Sequence, residues 1–214
     1  MSLSLGNTSI SELYVGSNKI AQAYLGSNLV YQASAPAPII PTNTVRVRTN
    51  DGNAPVKGNY TSYETATLVE GTSDVYDVYK SGDNFNSFLS QSTNVIEVLG
   101  ANISNVTKCV QMFMGCSSLT YVNLFDTSNV TKMDEMFWNC SNLTNVPLLN
   151  TNSVTVMDNI FLNCTNVESG ALALYQQASS QANPPTNYFR AFRNCGSNTE
   201  TGAAELAQIP SDWK

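Results

Sequence analysis

Five cysteines are the most reactive side chains in this sequence, and most of them keep one spacing. Cys116, Cys140 and Cys164 recur every 24 residues, and Cys195 comes after a seven-residue insertion. Thiols in register could bridge one another or hold a metal. A disulfide, however, needs Cα atoms within about 7 Å, and stacked helices bring equivalent positions to roughly 10 Å. The odd number of thiols also argues against a full disulfide set. The reading that fits is a row of small buried apolar residues, with Cys109 standing where Met133 and Met157 stand in later repeats.

Other chemistry is thinly supplied. The chain has no histidine, which excludes Ser–His–Asp and Cys–His catalysis and every His-ligated zinc, haem or di-iron centre. A glycosidase would need two facing carboxylates. Asp134 and Glu135 are adjacent on a polar face, and Asp74, Asp77 and Asp83 are scattered among strands and turns, so nothing groups them. Asp83, Asn84 and Asn86 miss the spacing of a calcium loop. No catalytic, cofactor or metal residue is therefore assigned, and the expectation is a protein that is not an enzyme and carries no cofactor. A net charge of −6 and a pI near 4.5 exclude ordinary nucleic-acid binding, which rests on Lys and Arg against phosphate.

Asn, Ser and Thr make up about a third of the chain. Sequons, at Asn102, Asn105, Asn129, Asn139, Asn142 and Asn163 among others, read as turn and cap residues rather than glycosylation sites. Against that polar background, Trp138, Tyr121, Tyr60, Tyr63, Tyr76 and Tyr79 fall outside the core period, where aromatic rings suit sugar stacking or protein contacts; packing beneath the caps is an equal reading for the tyrosines. The contact residues expected from this are Thr120, Tyr121, Asn123 and Trp138.

Two repeats must position these residues. The 24-residue period aligns Asn105-Val106-Thr107 with Asn129-Val130-Thr131 and Ser153-Val154-Thr155, and Met112-Phe113 with Met136-Phe137 and Ile160-Phe161. Phe88-Leu89 and Ala191-Phe192 mark weaker units on either side. Leu119, Val122 and Leu124 give a short strand with apolar positions at all three. Met133, Met136, Phe137 and Cys140 fall at i, i+3, i+4 and i+7, which predicts one helical face. One strand and one helix per unit, stacked on neighbours, is a leucine-rich-repeat solenoid. The second repeat is shorter: Leu3, Leu13 and Ala23 each open a ten-residue unit with Gly6, Gly16 and Gly26 in register. Gly-Ser-Asn between apolar alternations predicts a small β-meander, with Tyr14, Gly16, Tyr24 and Gly26 as its anchor positions.

The expected organisation is α/β: a β-repeat anchor or oligomerisation segment over 1–32, a Pro-rich linker over 33–44, a β-rich N-terminal cap over 45–84, and the solenoid with its C-terminal cap over 85–214. A helix near Leu172–Gln177 and a plug at Trp213 belong to that last part. The motif N-V-T-x-M-x-x-M-F-x-x-C-x-x-L resembles the BspA-type leucine-rich-repeat proteins of bacterial surfaces, which implies a surface-binding scaffold. The Tyr-x-Gly-Ser-Asn units are similar to short repeats in structural proteins of phages and prophages. The N-terminus lacks a basic stretch leading into an apolar core, so no secretory signal is read, and no apolar run is long enough to span a membrane. Together these imply a phage virion appendage of the head- or tail-fibre type, made in the host cytoplasm. It would hold other virion proteins through residues 1–32, form a homotrimer, and attach to a bacterial surface glycan or protein. A bacterial cell-surface adhesin is the alternative, and a glycan-active enzyme has least support.

Overall fold

The computed structural model describes residues 39–214 and, ahead of them, four short strands. Two compact units divide the chain at Ile39. In the first, β1 (Tyr14–Val15) pairs with β2 (Asn18–Lys19), and β3 (Gln22–Leu25) pairs with β4 (Asn28–Gln32), both antiparallel. These are two separate two-stranded ladders, not one meander. Tyr14 and Tyr24 fall in strands; Gly16 and Gly26 lie outside the described residues, as do positions 33–38 of the linker.

The second unit opens with β5 (Thr44–Thr49), β6 (Thr65–Leu68) and β7 (Val75–Tyr79), and continues with β8 (Val95–Asn102) and β9 (Tyr121–Val122). They form one mixed sheet in the order β6-β7-β5-β8-β9, antiparallel except for the β8–β9 pair. Alternation in VRVRT and VYDVY drives this: Val45, Val47, Tyr76 and Val78 are buried on its core side, paired as Val45 with Val78 and Val47 with Tyr76. On β5 the Arg46 guanidinium is bound bidentately by Asp77 at 2.7 and 2.8 Å.

The expected strand–helix solenoid is absent from the repeat region. Only two α-helices occur among the described residues, α1 (Ala171–Ser180) and α2 (Glu200–Gln208). The stretch 131–140, whose spacing predicts a helix, is a run of turns. Its backbone explains why. Each repeat puts two residues, four apart, in the left-handed region: Gln111 and Gly115, Glu135 and Asn139, Asn159 and Asn163, with φ between 55° and 70°. An α-helix tolerates neither. The amides alternate accordingly. Met112, Met114 and Cys116 donate back to Cys109, Gln111 and Phe113 within the repeat, while Gln111, Phe113 and Gly115 donate to Asp134, Met136 and Trp138 of the next repeat, each at 2.8 Å. The i, i+3, i+4, i+7 pattern reports which side chains point inward, not the backbone that carries them. The repeat strand is reduced likewise: of Leu119–Leu124 only Tyr121–Val122 is strand. Leu124, expected inside, is 67 % exposed.

The layers nevertheless share one core. Phe113, Phe137, Phe161 and Phe192 stack face to face, with ring centroids 5.3, 5.0 and 6.0 Å apart, and Trp213 closes the column 6.3 Å beyond Phe192. Both ends of the ladder are covered. At the first layer Ser62 and Tyr63 amides donate to the Ser87 and Phe88 carbonyls; at the last, the Phe192 amide donates to the Trp213 carbonyl.

Gly115 separates the two backbones experimentally. A Cβ there would meet only Gln91, at 3.4 Å or more, so the effect of Gly115→Ala is a backbone effect. In a helix it would stabilise by about 1 kcal/mol. At φ +70° it is expected to destabilise by about 1 kcal/mol, read as a lower urea midpoint with an unchanged slope.

Candidate binding surface

The outside of the layers is laced by side chains that copy the backbone ladder. Thr131 Oγ1 donates to the Thr107 carbonyl and Thr155 Oγ1 to the Thr131 carbonyl. Asn163 Nδ2 donates to Asn139 Oδ1 and Asn194 Nδ2 to Asn163 Oδ1; Asn166 and Asn198 repeat this beside Asn142. The Asn and Thr content thus ties each layer to its neighbour.

Two of the expected contact residues belong to this lacing. Thr120 Oγ1 donates to the Ile96 carbonyl at 2.9 Å and Asn123 Nδ2 to the Leu99 carbonyl at 3.1 Å. Tyr121, between them on β9, leaves its ring half exposed. Trp138 lies on the turn run of the next repeat, partly buried, with its indole N–H enclosed and without an acceptor among the described residues. Of the other aromatics, Tyr63 and Tyr76 are core, and Tyr60 and Tyr79 face outward.

What sequence reasoning missed is the groove one residue beyond Asn123. It holds about 610 Å³, and its apolar walls are Leu124 and Leu148, equivalent residues of successive repeats. Leu148 is about half exposed. Asp126, Asn150, Asn152 and Gln177 supply the polar rim. The rim is braced from within: Asp126 Oδ1 accepts the Ser128 amide, Asn150 Oδ1 accepts the Asn152 amide, and Gln177 Nε2 ties α1 to the Leu149 carbonyl at 2.6 Å. The hydrogen bonds from Ser128 hold the Asp126 carboxyl below the usual carboxylate range. The 24-residue recurrence of Leu124 and Leu148 is the available signal, but strand alternation assigns the position to the core.

The acidic residues weighed as catalysts have structural partners. Asp77 binds Arg46, Asp74 lies 3.4 Å from Arg48, Asp83 accepts Thr107, and Glu135 accepts Gln111. Burial, with the charge of Asp158 alongside, raises the Asp134 carboxyl. Among the described residues no three or more acidic or thiol groups converge as metal ligands, and no helix is long and apolar enough to cross a membrane.

Residues 83–198 match the model of a family described as a Mycoplasma protein of unknown function, DUF285. The chain belongs to that family. No curated protein and no solved structure matches it. The DUF285 region coincides with the layered ladder, from Asp83, whose carbonyl accepts the Thr107 amide, to Asn198, whose amide donates to Thr165.

The five thiols of the DUF285 region are free and buried. Those of Cys116, Cys140 and Cys164 donate to the carbonyls of Leu89, Phe113 and Phe137 in the preceding layer. Burial pushes Cys109 and Cys116 up to about 12 from 9.0. A thiol with a raised folded pKa contributes stability that is intact below the unfolded value and lost as pH rises towards the folded one. The expected outcome is full stability up to pH 9 and a decline between pH 9 and 12. In the folded chain no thiol should react with Ellman's reagent at pH 8; all five should react in guanidinium.

Proposed function

We propose that this chain is a non-enzymatic attachment protein whose layered DUF285 region presents the Leu124–Leu148 groove to a protein on a bacterial surface. The observation that carries this is the exposure of two equivalent leucines, 67 % and 49 %, inside a polar rim on a hydrogen-bonded framework. Exposed apolar side chains inside a polar rim are the mark of a protein–protein contact site, and here they cost the free chain solvation without adding to its core. The setting we favour is a phage virion appendage, with residues 1–32 as the anchor that joins other virion proteins and gathers three chains. Its support is the separate N-terminal unit and the likeness of the Tyr-x-Gly-Ser-Asn units to phage structural proteins. The N-V-T-x-M-x-x-M-F-x-x-C motif supports kinship with the BspA-type surface repeats. A bacterial cell-surface adhesin is the second reading, favoured by the family's description as a Mycoplasma protein.

Two experiments test this. Leu124→Asp with Leu148→Asp places charge in the groove without touching a buried residue. Binding of the double variant to cells of the source host, scored by flow cytometry, is expected to fall at least about tenfold, as loss of a hot spot gives; unchanged binding rejects the groove. Light scattering is expected to give a trimer for the full chain and a monomer for residues 41–214. A full chain that is monomeric rejects the fibre form, and its absence from purified virions rejects the virion setting.

A further inference from the structure

Phe189 is an anomaly in the repeat. Its equivalents in the earlier layers are Asp158, Asp134, Val110 and Asn86, yet here a phenyl ring stands 59 % exposed. Packing does not account for it: the core column passes through Phe192, not Phe189. The ring lines a second cavity of about 330 Å³, shared with Asp158, Asn187, Tyr188 and Asp212. That volume lies near the lower end of ligand pockets and suits one ring-sized molecule rather than a long chain.

The polar groups around the ring are placed and partly unspent. The Phe189 amide donates to Asp158 Oδ1 at 2.6 Å, which fixes that carboxylate and leaves Oδ2 without a partner among the described residues. Asn187 Oδ1 accepts Thr186 Oγ1 at 3.2 Å, leaving Nδ2 to donate. Asp212 receives only a long contact, 3.5 Å, from the Tyr188 hydroxyl. Tyr188 itself is stacked on Trp213, centroids 4.1 Å apart, so the wall behind is rigid.

Charge decides among ligands. Two carboxylates repel a phosphate, a uronic acid or any other anion. The cation position on the phenyl ring is already taken, since the Arg190 guanidinium lies 4.5 Å from its centroid. The ligand that uses every one of these groups at once is a neutral molecule with several hydroxyl donors, an acceptor for the Asn187 amide, and an apolar face for the ring. We infer that the Phe189 cavity is a binding site for a neutral saccharide unit, in which Asp158 and Asp212 accept sugar hydroxyls, Asn187 donates to a sugar oxygen, and Phe189 stacks on the C–H face. The site is separate from the Leu124–Leu148 groove and stands or falls without it.

The test uses the full chain with glucose, galactose, mannose and N-acetylglucosamine, and with glucuronate and choline as charged controls. Binding is read by saturation-transfer NMR and by shifts of the Phe189 and Asn187 amides. At least one neutral sugar is expected to bind saturably in the millimolar range, as a small exposed site allows, and neither control should. Phe189→Ala and Asp158→Asn are expected to weaken that binding at least about tenfold, whereas Leu124→Asp leaves it unchanged. Because Phe189 and Asp158 both lie at the surface, retained far-UV dichroism and an unchanged urea midpoint in Phe189→Ala show that the fold survives. No saturable binding by any neutral sugar overturns the inference, as does binding that survives Phe189→Ala in a folded protein, or equal binding of choline or glucuronate. Unchanged cell binding in the groove variant rejects the groove and leaves the sugar site standing, whereas absent sugar binding in a chain whose groove variant loses cell binding rejects the sugar site alone.

Discussion

Every layer of this protein depends on where alternate backbone amides go. In a helix each amide closes a loop within its own segment. Here half of them leave the segment and pair with the next layer, as Gln111, Phe113 and Gly115 do with Asp134, Met136 and Trp138. A single repeat therefore carries unpaired donors on one side and unpaired acceptors on the other, and burying either costs as much as a lost hydrogen bond. The requirement propagates. It demands left-handed residues at two fixed positions, which Asn and Gly tolerate best. It also demands hydroxyls and amides on the outside that can reach one layer across, which accounts for an Asn/Thr-rich, charge-poor composition. The thiol row obeys the same rule at Cys116, Cys140 and Cys164, whose S–H groups point at carbonyls of the layer before.

A framework knitted this uniformly offers a ligand little, because its polar surface groups are already engaged with each other. Thr120 and Asn123 illustrate this: both sit on an accessible edge, and both donate to a neighbouring carbonyl. Openings arise where the repeat is interrupted. The interruption lies between Cys164 and Cys195, where α1 and the loop after it are inserted. Gln177 of α1 closes one side of the Leu124–Leu148 groove, and Phe189 comes directly after the loop. Both candidate sites thus border the one place where the 24-residue register breaks.

The sequence carried the period and the core column, because inward-facing apolar residues must recur whatever backbone bears them. Val45, Phe113, Phe137 and Cys140 are all buried as their spacing implies. It did not carry the backbone itself. Apolar residues at i, i+3, i+4 and i+7 satisfy both a helix and a run of turns that closes every second residue, and the residues that distinguish them, Glu135 and Asn139, are unremarkable in a polar stretch. Leu124 departs from expectation for a related reason: it keeps the strand's alternation, but the strand stops at Val122, and beyond that point alternation no longer fixes a side. Phe189 was invisible because the insertion displaced it from the register in which its exposure would have shown.

The extent of the family match has the same physical origin. DUF285 covers residues 83–198 and leaves out both β5–β7 in front and the segment from Thr199 onward. Those flanks are the parts that cover the ladder's ends: Ser62 and Tyr63 satisfy the first layer's carbonyls, and Trp213 satisfies an amide of the last. A repeating unit whose edges pair only with copies of themselves can vary in number, but it cannot stop without a segment of different construction at each end. The front sheet meets that need with strands and buries its own valines while doing so. The rear cap meets it with α2 and a single indole stacked on Tyr188. The ladder is therefore the recurrent element, and the ends are local solutions to the backbone groups it leaves open.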